Sequence, residues 1–235
     1  MYIIDDKVYL HLQKCGGVSV RENLRDNRAA DFRFGEIHLN INLIPEKYKN
    51  YKRYAFVRNP CAWYLSDYYY NVQRHKQGRN VNPLIHVLMI DNNNEIIPLE
   101  TFVKNATDME TYFTDEKYRI LKRLINRDIG KMTGKWLRST INDTAELKKG
   151  FFKDRNTLYQ FLIKAAGIDT AQTFKMEDKE DRNKLYNIFE ITDNYKKNVT
   201  LQKGEMASAS KKIIQEKDNY VFELFGYNKE INDGN

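Results

Sequence analysis

Two stretches near the start of the chain combine an apolar run, a turn and a helical pattern. In the first, a lysine and two glycines separate a predicted strand over residues 7–12 from a predicted helix over roughly 17–27. In the second, the strand "RYAFVR" over 53–58 ends at Asn59-Pro60, and a helix is predicted from there to about Lys76 because proline suits the first turn. Two strand–turn–helix units predict an α/β fold with a parallel sheet.

The rest of the chain shows mainly helical spacing of its apolar positions. One further short strand is predicted over 35–40, "GEIHLN", where apolar and polar residues alternate. No internal repeat or low-complexity linker interrupts the chain, so helices packed around the early sheet are expected from Val81 onward. The predicted helices cover 99–106, 115–127, 155–166, 178–190 and 206–225.

Composition narrows the class of protein. With 235 residues, 41% hydrophobic and 30% charged, the chain fits a soluble globular protein with a sizeable core. We expect no membrane span, because no apolar run approaches about 18 residues, and no secretory signal, because a strand pattern begins almost at once. Two cysteines exclude a disulfide framework and favour a cytoplasmic location. The net charge of +7 favours an anionic ligand without identifying it.

The first turn, "QKCGG" over 13–17, is the strongest candidate for chemistry. A tight glycine turn between a strand and a helix aims backbone N–H groups and the helix N-terminus at one point, which is a typical phosphate site. Arg58 leaves the end of the second predicted strand, and Ser66 lies on the helix that follows it. Ligands of open α/β sheets bind at the carboxyl ends of the strands. Lys14 and Arg58 are both expected there, where they could hold two phosphate groups of one nucleotide.

These motifs resemble those of a known family. "HLQKCGGVSV", residues 11–20, looks like the 5′-phosphosulfate loop of sulfotransferases that use 3′-phosphoadenosine-5′-phosphosulfate (PAPS). "FVRNP", with a serine eight residues after the arginine, resembles the family's 3′-phosphate motif, and "FELFGYN", residues 222–228, resembles the ending of carbohydrate-type members. The resemblance covers about 8–26 and 53–70 and, more weakly, the tail. Lys14 and Arg58, 44 residues apart, stand in the family's order.

The resemblance implies a P-loop-like three-layer α/β fold with a central parallel sheet and a helix-rich C-terminal half. It implies one domain over 1–235, with nucleotide-binding motifs in 1–76 and a mainly helical part over 77–235 that forms the acceptor pocket. The implied reaction is transfer of a sulfuryl group from PAPS to an acceptor hydroxyl on a carbohydrate, with no metal. The partners implied are the nucleotide donor and a glycan acceptor, with no nucleic acid and no membrane. The oligomeric state is left open.

The resemblance also assigns roles to residues. Lys14 would contact the bridging oxygen and stabilise the leaving phosphate, while Arg58 and Ser66 would bind the 3′-phosphate. A general base is also needed, and His38, in the predicted strand between the two motifs, is favoured over Glu36 on the same strand face. The residues implied for the 5′-phosphate are Lys14, Cys15, Gly16, Gly17, Val18 and Ser19.

Departures from the family pattern keep other readings open. Gln13 stands in place of the usual proline, Cys15 in place of threonine, and Trp63 where many members carry a second arginine. A degenerate sulfotransferase that binds nucleotide without turnover is one alternative. A small-molecule kinase is another, although the kinase P-loop has its lysine after the glycines rather than before them. A basic nucleic-acid-binding module would leave the Lys14 and Arg58 motifs unexplained.

Overall fold

The computed structural model describes residues 2–27, 44–81, 88–107, 130–140, 172–191 and 204–229. The chain divides into two compact units. One comprises Met1–Arg58 and Lys135–Val199, and the other comprises Asn59–Gly134 and Thr200–Asn235. Such units occur within one domain as well as between domains, so the single domain over 1–235 stays a prediction.

The described elements alternate between strands and helices only in the first unit. In chain order they are β1 (Tyr2–Ile4), β2 (Lys7–Leu10), α1 (Gly17–Asn27), a 3₁₀ turn (Glu46–Tyr48), β3 (Lys52–Val57), α2 (Pro60–Lys76), α3 (Leu99–Thr107), α4 (Lys131–Thr140), β4 (Thr173–Lys175), α5 (Lys179–Ile188), α6 (Ser208–Lys217) and α7 (Asn219–Leu224). All four strands lie in the first unit, and the boundary between the units falls within α4.

The sheet has the order β1-β2-β3-β4 and is mixed. β2, β3 and β4 run parallel, whereas β1 pairs antiparallel with β2. Only Asp5 and Asp6 separate the first two strands, a link long enough for a hairpin and far too short for a parallel crossover. The predicted α/β fold is therefore confirmed, with a sheet that is mostly rather than wholly parallel.

Both faces of this sheet are buried. On one face, the rings of Tyr9 and Tyr54 pack edge-on against Phe189 at the end of α5, with centroids 5.9 and 5.5 Å apart. On the other face, Val8 and Leu10 belong to an apolar cluster. Burial on both faces explains why the strands appear as continuous apolar runs and not as a clean alternation.

The second unit is helical in its described part. The helices predicted over 60–76 and 99–106 are confirmed as α2 and α3, and in the first unit 17–27 and 178–190 are confirmed as α1 and α5. The helix predicted over 206–225 is interrupted between α6 and α7 at Asp218. The predicted strand over 35–40 and the helices over 115–127 and 155–166 lie outside the described residues.

The residue at the break, Asp218, has a φ of −102° and a ψ of 21°, and its carboxylate lies inside the protein. It is fully buried and accepts hydrogen bonds from the Tyr64 hydroxyl at 2.9 Å and from the amide and hydroxyl of Thr133 at 2.7 and 2.6 Å. Burial and the neighbouring Asp218 carboxylate raise the pKa of Tyr64 well above its usual value, so that hydroxyl stays a donor. A buried carboxylate with several donors is stable in an apolar interior, where an unpaired one would not be.

A second buried charged group, the Lys131 ammonium, forms an ion pair within the second unit. The Lys131 ammonium lies 2.7 Å from the Asp67 carboxylate, with side-chain exposures of 2% and 0%. The same ammonium lies 5.5 Å from the centre of the Trp63 ring, and Trp63 itself is fully buried. Trp63 is therefore a core residue of this unit.

No helix in the described ranges is both long and apolar enough to cross a membrane.

Replacing Asp67 by alanine is expected to lower the free energy of unfolding by about 3–5 kcal/mol, because the Lys131 charge would remain buried without its carboxylate. Urea unfolding followed by circular dichroism measures this loss. Glu205→Ala, which removes an exposed carboxylate of the same unit, is the control and should change stability by less than about 0.5 kcal/mol. A loss for Asp67→Ala no larger than that of the control would contradict the role given to this pair.

Candidate anion-binding site

The chain reverses sharply between the end of β2 at Leu10 and the start of α1 at Gly17. The Leu12 amide donates to the Leu10 carbonyl at 3.1 Å, and the Cys15 amide donates to the Leu12 carbonyl at 3.3 Å. Lys14 adopts a left-handed conformation with φ of 66°. A lysine in that region costs about 1–2 kcal/mol, so contacts elsewhere must hold the loop in this shape.

The two glycines of the loop are needed for different reasons. Gly16 has a φ of 73°, a conformation that residues with a β-carbon rarely adopt. At Gly17 the constraint is space, because a β-carbon there would lie 1.7 Å from Cδ2 of His11. The His11 ring is itself buried, with 7% of its surface exposed. The close approach of this ring to the helix start requires a residue without a side chain.

The start of α1 presents the amides that the sequence predicted as phosphate ligands. The Val20 amide donates to the Gly16 carbonyl at 3.3 Å, which makes Gly17, Val18 and Ser19 the first three residues of the helix. The N–H groups of a first turn have no acceptor within their own helix and point along its axis. The partial positive charge of the helix dipole adds to them. This end of α1 therefore has the geometry for an oxyanion.

Arg58 joins this loop to the ends of the neighbouring strands. Its Nη1 donates to the Lys14 carbonyl at 3.3 Å, and its Nε lies 3.5 Å from Oε1 of Glu177, two residues beyond β4. The side chains of Arg58 and Glu177 are 22% and 38% exposed. The guanidinium thus contacts the segments after β2 and after β4 from its own place after β3. Lys14 and Arg58 stand at the same edge of the sheet.

Cys15, which the sequence placed among the cofactor-binding residues, has a fully buried side chain. Burial raises the pKa of its thiol far above its usual value, and the charges of Arg58, Lys135 and Lys14 offset this only in part. The thiol therefore stays protonated at neutral pH and is a packing residue beneath the loop. Only the backbone of Cys15 remains suited to a role toward a ligand.

Sequence reasoning missed two residues that stand close to the loop. The Lys135 ammonium, on α4, donates to the side-chain carbonyl of Gln13. This contact gives Gln13 a structural role in the loop. Glu177 follows β4, a strand of three residues that carries no periodic signal. The residue after Glu177 does carry a local signal, because aspartate is a typical helix cap. Asp178 caps α5 by accepting hydrogen bonds from the amides of Glu180 and Asp181.

The described structure does not test the placement of three predicted site residues. Ser66 is half-buried on α2, which belongs to the second unit, so its pairing with Arg58 stays a prediction. Glu36 and His38 lie outside the described residues. The tail motif over 222–228 forms the end of α7, where Gly226 has a φ of 61° and the Tyr227 amide donates to the Phe222 carbonyl.

Within the ranges described above, no group of three histidine, cysteine, aspartate or glutamate side chains could hold a metal ion. Comparison of the chain with protein-family models, with curated proteins and with solved structures finds no match. The loop geometry and the family-like motifs are therefore the observations that bear on function.

Replacing Gly17 by alanine is expected to destabilise the protein by about 1–3 kcal/mol, because the new methyl group would overlap the buried His11 ring. Thermal and urea unfolding measure the loss. The control is a double-mutant cycle with His11→Ala, which removes the ring. If the overlap is the cause, the double variant loses less stability than the sum of the two single variants. Additive losses would contradict it.

The two thiols are expected to react slowly and unequally with iodoacetamide. Burial and the Asp218 carboxylate raise the pKa of Cys61 from 9.0 to about 11, so at pH 8 its thiolate fraction is about a hundredth of that of an ordinary thiol. Its labelling rate should rise about tenfold per pH unit up to pH 10. Cys15 should label more slowly still.

Peptide mass spectrometry resolves the two sites, and labelling in concentrated urea, where both thiols are exposed, is the control. Labelling of native Cys15 as fast as Cys61 at pH 8 would show that the loop does not bury its thiol.

Proposed function

We propose that the protein is a PAPS-dependent sulfotransferase that transfers a sulfuryl group to a hydroxyl group of a carbohydrate. The observation that carries the proposal is the hydrogen bond from Arg58 to the carbonyl of Lys14. It joins the two motifs on which the resemblance to the family rests, at the sheet edge where nucleotides bind in α/β proteins. The β2–loop–α1 unit beside a parallel β3 supports a P-loop-like three-layer fold.

The donor set of the loop fits a phosphate group. First-turn amides of α1 and the Lys14 ammonium offer several N–H donors to an anion that approaches the helix axis. The left-handed conformation of Gly16 is one that amide nests for phosphates use. Arg58 adds a planar fork suited to a second phosphate. A bisphosphorylated nucleotide would thus meet positive charge at both of its ends.

PAPS would supply an activated sulfuryl group whose transfer breaks a sulfur–oxygen bond and leaves negative charge on the 5′-phosphate. In the proposed reaction, the Lys14 ammonium stabilises that charge on the bridging oxygen, and the first-turn amides hold the phosphate in line with the acceptor. Arg58 and Ser66 bind the 3′-phosphate. His38, or Glu36 in its place, takes the proton of the acceptor hydroxyl.

The proposal predicts metal-independent binding of 3′-phosphoadenosine 5′-phosphate, the product of PAPS after transfer. In EDTA, isothermal titration should show this nucleotide binding more tightly than ADP or ATP. Arg58→Ala should reduce the ratio of its affinity to that of ADP by about 10- to 100-fold, because a charge-assisted contact to the 3′-phosphate is lost. Arg79→Ala, which removes an exposed arginine, is the control. Tighter, magnesium-dependent binding of ATP would favour a kinase, and steeply salt-dependent binding of DNA or RNA would favour a nucleic-acid module.

The proposal also predicts that Lys14→Ala abolishes transfer. With PAPS and a panel of glycans, its kcat should fall by about 100-fold or more while circular dichroism stays unchanged. Lys212→Ala, which removes an exposed lysine on α6, should leave transfer unchanged. Nucleotide binding without transfer by the unmodified protein would identify a degenerate member, and full activity of Lys14→Ala would contradict the role of the lysine.

A further inference from the structure

We propose that Glu177 is a built-in counter-ion of the nucleotide site, which occupies the guanidinium of Arg58 until the 3′-phosphate of the nucleotide displaces it. The inference rests on the proposed function and deepens it, because it names the residue that sets how strongly the site favours a 3′-phosphate over a 3′-hydroxyl group.

The contact between the two side chains is loose enough to be exchanged. The distance of 3.5 Å between Arg58 Nε and Glu177 Oε1 exceeds the roughly 2.7–2.9 Å of a strong charge-assisted hydrogen bond. Both side chains reach solvent, so a pair in this position contributes little to stability. Arg58 keeps its contact with the Lys14 carbonyl through a different nitrogen, Nη1. Loss of the carboxylate therefore leaves the loop attached to the end of β3.

Hydrogen bonds tie the backbone around Glu177 to its neighbours, so displacement of the carboxylate requires movement of the side chain alone. The Arg182 guanidinium donates to the carbonyls of Met176 and Glu177 at 2.9 and 3.1 Å. The Met176 amide donates to the Val57 carbonyl at 2.9 Å, which extends the pairing of β4 with β3 beyond the last strand residue. The Met176 thioether also lies 3.3 Å from the position of a β-carbon at Gly16. The segment after β4 is thus hydrogen-bonded to β3 and to Arg182, and it lies beside the loop.

The carboxylate of Glu177 partly balances the positive charges around the loop. The cations Lys14, Arg58 and Lys135 are all close enough to act on the buried Cys15 thiol, and Glu177 is the anion that acts with them. A carboxylate reduces the mutual repulsion of three cations in the protein without ligand. A phosphate dianion carries more charge than a carboxylate and can replace it at Arg58, whereas a hydroxyl group carries none and cannot.

The carboxylate therefore opposes nucleotide binding in proportion to the charge at the 3′ position. Glu177→Gln, which keeps the shape and removes the charge, is expected to tighten binding of 3′-phosphoadenosine 5′-phosphate by about three- to tenfold. Binding of ADP, which has a 3′-hydroxyl group, should change by less than about twofold. The matched control is Glu180→Gln, which removes the same charge from an exposed side chain three residues away and should behave like the unmodified protein. Isothermal titration of both nucleotides in EDTA at fixed ionic strength gives the two ratios.

The outcomes separate this inference from the proposed function. If the unmodified protein binds 3′-phosphoadenosine 5′-phosphate and Glu177→Gln binds it equally or more weakly, the counter-ion role is wrong and the function stands. Equal tightening by Glu177→Gln and Glu180→Gln would also overturn the inference, since it would reflect net charge alone. If neither the unmodified protein nor Glu177→Gln binds this nucleotide, both proposals fail. Binding that appears only in Glu177→Gln would support both.

Discussion

One guanidinium, that of Arg58, contacts the chain segments that follow the parallel strands β2 and β4 from its own position after β3. The carboxyl ends of parallel strands leave carbonyl groups and loop backbone without ladder partners, and some donor must satisfy them. An arginine suits this position because its fork can serve a carbonyl and a carboxylate at once. The contact also helps to hold Lys14 in a left-handed conformation that is unfavourable for a lysine.

In the function proposed above, the same contact would also restrict which ligands bind. The guanidinium that donates to the Lys14 carbonyl also lies 3.5 Å from the Glu177 carboxylate, as an ion pair and not as a hydrogen bond. Any anionic ligand must therefore compete with a carboxylate of the protein itself. Competition of this kind favours ligands that carry a full phosphate charge over ligands that carry a hydroxyl group. If the proposed function holds, one side chain would link the stability of the loop to the choice of ligand.

The second unit buries charged side chains among aromatic rings. Lys131 and Asp67 form a buried ion pair. The Asp218 carboxylate accepts hydrogen bonds from Tyr64 and Thr133. Such pairs contribute little net stability, but removing one partner is costly because the other stays buried. This arrangement requires a glycine at position 130, because a β-carbon on Gly130 would lie 2.0 Å from an Asp218 oxygen.

Local signals carried most of what could be predicted. Pro60 after Asn59 marked the start of α2, and the structure places the Asn59 side chain as the cap that accepts from the Ala62 amide. The glycine turn before α1 was equally visible, because a strand pattern and a helix pattern meet there with only six residues between them. By contrast, β4 has three residues and no periodic signal, and the helix over 206–225 could not be seen to break at Asp218.

The sequence by itself determined the α/β class, the positions of α1, α2, α3 and α5 to within about two residues, and the loop with Lys14 and the two glycines. Each of these follows from residues that are neighbours along the chain, so propensity and spacing suffice. Only the tertiary structure decided that β4 joins the sheet, that His11 excludes a side chain at Gly17, and that Glu177 stands beside Arg58. These contacts depend on packing between distant segments, and a pattern of local spacing contains no information about which distant segment will supply the partner.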